Sequence, residues 1–307
     1  MEAALPPTEN DNHRPIISYC VTCMNRGEQL KKTLEYNLEI IREYSGQVEL
    51  CLVNFIKDAE GEAIHNWLKR LAGREGFRYF FSRNLTVWHA SVAKNTAHMQ
   101  GAGCFLVNLD CDNYLSRGLV DGLLGLPDDV RDNTVFSGFT GGFREEITKH
   151  KSKSVRLRQA LAWLLACLKS RQPGVRGVKR KPVLLRSVRQ GSDRHFNGTY
   201  GHIGLPATLF HYLGGYDESL PPMGGQDKNL LWRAYNIAGV TLTHIPVPQD
   251  CIPVENTKIE SMKHTDLSSG WSQLQLEGTA LTLNAIRDRR LIANNGCPGG
   301  VAVEKCK

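Results

Sequence analysis

The chain has 307 residues, enough for one large α/β domain or two small ones, and its 41% hydrophobic content is ordinary for a globular chain with a sizeable core. No apolar run reaches the ~18 residues that a membrane-spanning helix needs, and the acidic, Pro-containing start MEAALPPTENDNHR has no signal-peptide pattern, so a cytoplasmic location is expected. The formal net charge of +7 is uneven: much of the excess lies between Lys149 and Arg194, a segment that suits an anionic membrane surface or a solvated loop, with no nucleic-acid-reading motif beside it.

In chain order, residues 1–14 read as a disordered segment. Residues 15–24, PIISYCVTCM, are apolar and β-rich and predict a first strand. Asn25, Arg26 and Gly27 make a turn, and Leu30, Leu34, Leu38 and Ile41 then recur at helical spacing over 28–44. A second strand is predicted at 48–56, a loop at 57–61, a short helix at 62–71, a third strand at 77–81 and a helix at 90–100. The strand that follows runs into Asp110. This alternation is the pattern of a parallel sheet with crossover helices. No G-x-G-x-x-G follows the first strand, so a dinucleotide loop is not indicated. The nine cysteines lack zinc-ligand spacing, and Cys20-x-x-Cys23 falls inside a strand, which reads as core thiols in a reducing compartment.

A helix over 116–126 and a strand over 133–138 come next. A basic helical insert follows at about 145–195, its apolar centre LAWLLACL flanked by Lys and Arg. After it come a short strand and helix, a helix over 229–238 and a strand over 240–245. The tail, 291–307, reads as flexible.

The stretch FLVNLDCDNYL, residues 105–115, is the focus of the chain. It reads as a buried strand delivering Asp110 and Asp112 to the carboxyl end of the sheet, where ligands of open α/β sheets bind. If strand geometry persists, the two acids share a face and Cys111 takes the other. Paired carboxylates of this kind suit Mg or Mn, which also takes phosphate oxygens. The alternative is an acidic turn with helix-capping residues. Asp227 sits near the start of a later helix, where the macrodipole favours an ionised carboxylate, and it also reads as a plain helix cap. Tyr216, in a Gly-rich loop, and Trp232, within a helix, are candidates to stack on a ligand, with core packing the competing role for Trp232.

Taken together, the NRxxxL turn at Asn25, the AKNTA helix at Ala93, NLDCDN at Asn108 and GGYDE…GGQDKNLLWRA from Gly214 resemble the GT-A fold glycosyltransferases. More narrowly, the chain is similar to family 2-type enzymes whose C-terminal half is like that of the β-1,4-galactosyltransferases. The resemblance covers about Ile16 to Asp266. It implies a single Rossmann-like α/β GT-A domain over 15–290 with a central, mostly parallel sheet flanked by helices. A nucleotide-binding half would span about 15–140 and an acceptor and catalytic half about 196–290.

By resemblance, Thr22, Asn25, Arg26, Asn54, Lys94 and Asn95 face the nucleotide-sugar donor together with Asp110 and Asp112. Asp110, Asp112 and His264 would hold Mn or Mg. Asp227 takes the place of the general base of inverting enzymes, beside Gly225 and Gln226 on the sugar or acceptor. Two departures stand out: Asn54 and Gln226 replace acids of the family. The expected activity is a metal-dependent, inverting hexosyltransferase moving a sugar from a UDP-sugar to a hydroxyl of a glycan, protein or other acceptor. The alternative, motivated by the two departures, is a catalytically inactive GT-A-like binding or scaffold module docked on an anionic surface.

Overall fold

The computed structural model describes residues 14–140, 201–237, 239–247, 254, 264–265 and 270–306. The segment expected to be disordered, 1–14, lies outside the described residues except for Arg14, and so does the basic helical insert. The first half alternates as expected: β1 (Ile17–Cys23), α1 (Gly27–Glu43), β2 (Val48–Phe55), α2 (Ala59–Lys69), β3 (Phe77–Ser82), α3 (Ala90–His98) and β4 (Phe105–Asn108). Then come α4 (Arg117–Leu124), the one-turn α5 (Asp128–Arg131) and β5 (Thr134–Thr140). The later part contributes β6 (Ile203–Pro206), α6 (Ala207–Tyr212), α7 (Gln226–Tyr235), β7 (Thr241–Val247), α8 (Trp271–Arg287) and β8 (Glu304–Lys305).

The strands form one eight-stranded sheet in the order β7-β5-β6-β4-β1-β2-β3-β8. β4, β1, β2 and β3 are mutually parallel, β6 runs antiparallel between β4 and β5, and β8 closes the far edge antiparallel to β3. The centre of the sheet is dry: every residue of β1 and β2 is buried. That is why these strands read as apolar runs rather than as strict alternations. Alternation still sorts the side chains. Ile17, Tyr19, Val21 and Cys23 pack with Leu30, Leu34, Leu38 and Ile41 of α1 on one face. Cys20 joins Ala93 and Ala97 of α3 on the other. Burying a large aliphatic side chain of this kind contributes about 1.5–3 kcal/mol.

Four expectations change. α2 begins at Ala59 inside the expected loop, because Asp58 caps it by accepting from the backbone N–H of Glu60 and Gly61. α7 begins at Gln226 rather than 229, so Asp227 lies within its first turn. α8 has no counterpart among the expected elements, since polar residues interrupt its apolar positions. It approaches the 224–225 turn so closely that a Cβ on Gly278 would stand 2.7 Å from the Gly224 carbonyl oxygen.

The tail expected to be flexible is instead tied down over 291–306. The Leu291 carbonyl accepts from buried Arg233, and Asn294 donates to the carbonyls of Gly214 and Tyr216. The backbone N–H of Gly300 donates to Glu218, and that of Cys306 to the Tyr79 carbonyl. Apolar contacts add to these bonds: Ala293 is buried, Val301 and Val303 pack against the core on the α3 face, and Cys306 packs on the α1 face.

Candidate active site

The site lies beyond the carboxyl ends of β1, β2 and β4, at the edge where open α/β sheets bind ligands. β4 stops at Asn108, and Asp110–Asn113 is a tight turn closed by the Asn113 N–H on the Asp110 carbonyl at 2.9 Å. The two carboxylates therefore belong to a turn and not to a continuing strand. The turn is pinned from below: Thr33 of α1 donates to the Cys111 carbonyl at 2.7 Å, and Asn37 donates to that of Asn113 at 3.0 Å.

Each carboxylate faces a cation. Arg26, the residue before α1, places Nη2 2.8 Å from Asp112 Oδ2. Lys94 of α3 places Nζ 3.5 Å from Asp110 Oδ1 and 2.7 Å from Asp227 Oδ1. One buried ammonium thus joins the Asp-Cys-Asp turn to the first turn of α7, where Asp227 lies 133 residues beyond Lys94 in sequence. Burial alone would depress Lys94, yet the charges of Asp110 and Asp227 hold its pKa above the ordinary lysine value. Asp112 is shifted upward, first by burial and then by the charge of Asp110, with Arg26 compensating only in part. Asp110, Asp112 and Asp227 thus face the two cations Arg26 and Lys94.

Asp110 is further fixed by residues that sequence reasoning did not single out. Asn108 Nδ2 donates to its Oδ1 at 3.0 Å and to the Gly201 carbonyl at 2.8 Å. Gly201 has φ 75°, and a Cβ there would lie 2.5 Å from Asp110 Oδ2, so glycine is required both for its backbone and for space. Buried His202 follows, with its pKa pushed down to about 4 by burial against the opposing charge of Asp110. Asn108 was legible as a polar residue at a strand end, whereas nothing in the local sequence marks Gly201 or His202.

Other expected site residues are brought to the same edge in different states. Asn25 adopts φ 50° and donates to Asp58 at 2.7 Å, while Asn54 donates to the Gly61 carbonyl at 3.3 Å. Both leave a buried Oδ1 without a hydrogen-bond partner among the described residues. Thr22 is buried on β1. Asp58 is held below its ordinary value, first by the Gly61 N–H and then by Asn25 and Glu60, with the charge of His264 adding to these.

Three expectations are corrected. Asn95, expected among the donor-facing residues, has its side chain taken up by the protein interior. It is fully buried, accepting from the Tyr216 N–H and donating to the Tyr216 carbonyl and to Glu218. Tyr216 and Trp232 are 0% and 2% exposed, so neither ring offers a face to an acceptor sugar. Tyr216 lies instead beneath Lys94, whose Nζ is 5.7 Å from the ring centroid, and Trp232 packs in the core. His264 is not gathered with Asp110 and Asp112. Among the described residues no group of three or more His, Cys, Asp or Glu is placed to hold a metal ion, and the His264 carbonyl accepts from the Trp88 N–H.

Gln226 is buried and donates to the Pro221 carbonyl at 2.8 Å, a shaping contact for the loop before α7, and Gly225 precedes it as the cap residue. The neighbouring carboxylates of Asp110 and Asp112 fit a hard divalent cation, since Mg and Mn use one or two carboxylates and complete their shells with water and phosphate. Among the described residues no helix is long and apolar enough to cross a membrane.

No protein-family model and no curated protein sequence matches the chain. Solved structures do. One is the mannosyltransferase PcManGT from Pyrobaculum calidifontis in complex with GDP-Man and Mn2+, at 13% identity, covering 91% of this chain and 72% of that one, with a TM-score of 0.49. Another is the catalytic domain of Drosophila beta1,4galactosyltransferase 7 in complex with xylobiose, at 10% identity over 85% of this chain and 78% of that one, TM-score 0.43. A third is the glucosyl-3-phosphoglycerate synthase of Mycobacterium tuberculosis in complex with phosphoglyceric acid, at 14% identity over 89% and 80%, TM-score 0.47. Each is a structure to which this chain is similar in the course of its backbone.

Proposed function

We propose that this protein is a glycosyltransferase that moves a sugar from a nucleotide-sugar, of the UDP type, to an acceptor hydroxyl with inversion at the anomeric carbon. The observation that carries the reading is the Lys94 bridge, which brings Asp110 and Asp227 to one point at the carboxyl edge of the sheet. The motif resemblance supplies the donor class.

In this reading Asp110 and Asp112 hold a divalent cation, Mn or Mg, which when bound neutralises the diphosphate leaving group. Arg26 and Lys94 turn from the carboxylates toward the donor phosphates. The unpartnered oxygens of Asn25 and Asn54 are acceptors of the kind that base or ribose donors satisfy. Asp227 takes the proton from the acceptor hydroxyl, a contribution of about 10²–10⁴ in rate. Lys94 restrains Asp227 until the donor draws its ammonium away, which couples the base to donor binding. His264 and Gln226 are left for roles around the donor rather than in the proton transfer.

Titration calorimetry of UDP with and without Mn, on the wild type and on Asp112→Ala, tests the donor site. Binding that needs both Mn and Asp112 supports the reading. Mn-independent binding, or none to UDP or GDP, removes it and leaves an inactive binding module.

A further inference from the structure

Behind the Asp110–Asn113 turn lies a pair of thiols that the proposed chemistry does not use. β1 and β4 are parallel, with Cys20 opposite Asn108. The Leu109 N–H on the Cys20 carbonyl at 3.0 Å carries the pairing one step further. Cys23 ends β1, and Cys111 stands in the turn that follows β4. The two thiols interact directly, and both belong to the buried cluster on the α1 face.

We propose that Cys23 and Cys111 form a reversible disulfide that switches the donor site off. Cys111 lies between the two carboxylates of the turn, and Cys23 is three residues before Arg26. Drawing the two sulfurs to a bond of about 2.0 Å pulls the turn toward β1 and shifts the Arg26–Asp112 pair. A displacement of this size at a binding site carries a large penalty. A second pair, Cys20 and Cys51, is also in register, across β1 and β2. It faces the other side of the sheet, where the Cys51 thiol donates to Glu49 at 3.4 Å, and it has no contact with the turn.

The oxidant is a peroxide. Both thiols are buried, and the step is the same whichever takes the oxidant first. The sulfur of one attacks hydrogen peroxide, the O–O bond breaks, and a sulfenic acid and water result. The second sulfur then attacks the sulfenic sulfur. The S–S bond forms, the S–O bond breaks, and the hydroxyl leaves as water with the second thiol's proton. Two thiols and one peroxide give one disulfide and two waters. A dithiol returns two electrons and restores both thiols.

The covalent half of this inference stands alone, while the switching half rests on the proposed donor site. The experiment separates them. Full-length protein is treated with hydrogen peroxide, the remaining thiols are alkylated, and the digest is read by mass spectrometry while UDP affinity is measured with Mn. The expected result is a linked Cys23–Cys111 peptide, a UDP affinity lowered roughly tenfold or more, and recovery with dithiothreitol. Cys23→Ala, and independently Cys111→Ala, keep their affinity after peroxide. That control sets aside oxidation of the exposed Cys104 and Cys297. Absence of the linked peptide, a Cys20–Cys51 link in its place, unchanged affinity in the linked protein, or a loss that persists in both variants each overturns the switch. If reduced protein binds no nucleotide, the donor reading fails, and the peptide still decides the disulfide.

Discussion

Lys94 Nζ stands 2.7 Å from Asp227 and is 8% exposed, so two distant motifs meet on one buried ammonium. Lys94→Met keeps the length of the side chain and deletes its charge. Asp110 and Asp227 then face each other uncompensated. The expected outcome is a stability loss below the ~3–5 kcal/mol of a fully buried broken pair, because both carboxylates reach solvent. Urea unfolding reads it. Transfer activity should fall further than stability explains, and an unchanged rate would remove Lys94 from the site.

Asp227→Asn keeps the shape and a hydrogen bond to Lys94 while removing the base. A fall in kcat of about 10²–10⁴-fold with UDP affinity near wild type is expected. A loss confined to donor affinity would reassign Asp227 to binding.

Gly201→Ala places a methyl group against the Asp110 carboxylate and strains a left-handed backbone. The cost should be about 1–3 kcal/mol, with weaker Mn-dependent nucleotide binding than in Gly73→Ala. Gly73 also has positive φ but meets nothing within 4 Å, so it isolates the backbone strain.

Acid should unfold this protein through its buried imidazoles. Burial lowers His98 from 6.5 to about 3 and His202 from 6.5 to about 4. The folded state keeps both neutral while the unfolded chain takes up protons. The stabilisation they contribute is full above 6.5 and is lost as pH falls from 6.5 toward those values, each imidazole giving up about 1.4 kcal/mol for every pH step of one. Urea midpoints between pH 7.5 and 5 should drop, and less steeply in His98→Phe, which keeps the stacking on Phe210.

Glu218 gathers Asn95 Nδ2 at 2.9 Å and the Gly300 N–H at 2.7 Å. Glu218→Ala should cost about 1.5–3 kcal/mol, the range for a hydrogen bond to a charged group. It should also speed proteolysis after residue 290 in limited trypsin digestion.

The first half of the fold was legible because its strands are continuous apolar runs and α1 keeps Leu30, Leu34, Leu38 and Ile41 on one face. Asp110, Asp112, Lys94 and Asp227 were legible as motif positions, and the bridge among them was not, since spacing along a chain says nothing of distance across a sheet. The aromatic roles failed for a plain reason: a Tyr in a Gly-rich loop looks exposed, yet Asn95 draws the loop around Tyr216 into the core. The tail was unreadable because Asn294 and Gly300 act through backbone geometry and side-chain amides, which leave no periodic trace.

The short strand β8 pairs Lys305 with Phe80 and Glu304 with Phe81, so the outer edge of β3 is completed by almost the last residues described. During synthesis on a ribosome, that edge stays open until more than two hundred further residues have emerged. The interval is a window for intermolecular strand pairing, since an unpaired edge is a template for another chain. Yield on expression should therefore respond to chaperone supply and to translation speed through the second half more than to the final stability of the folded protein.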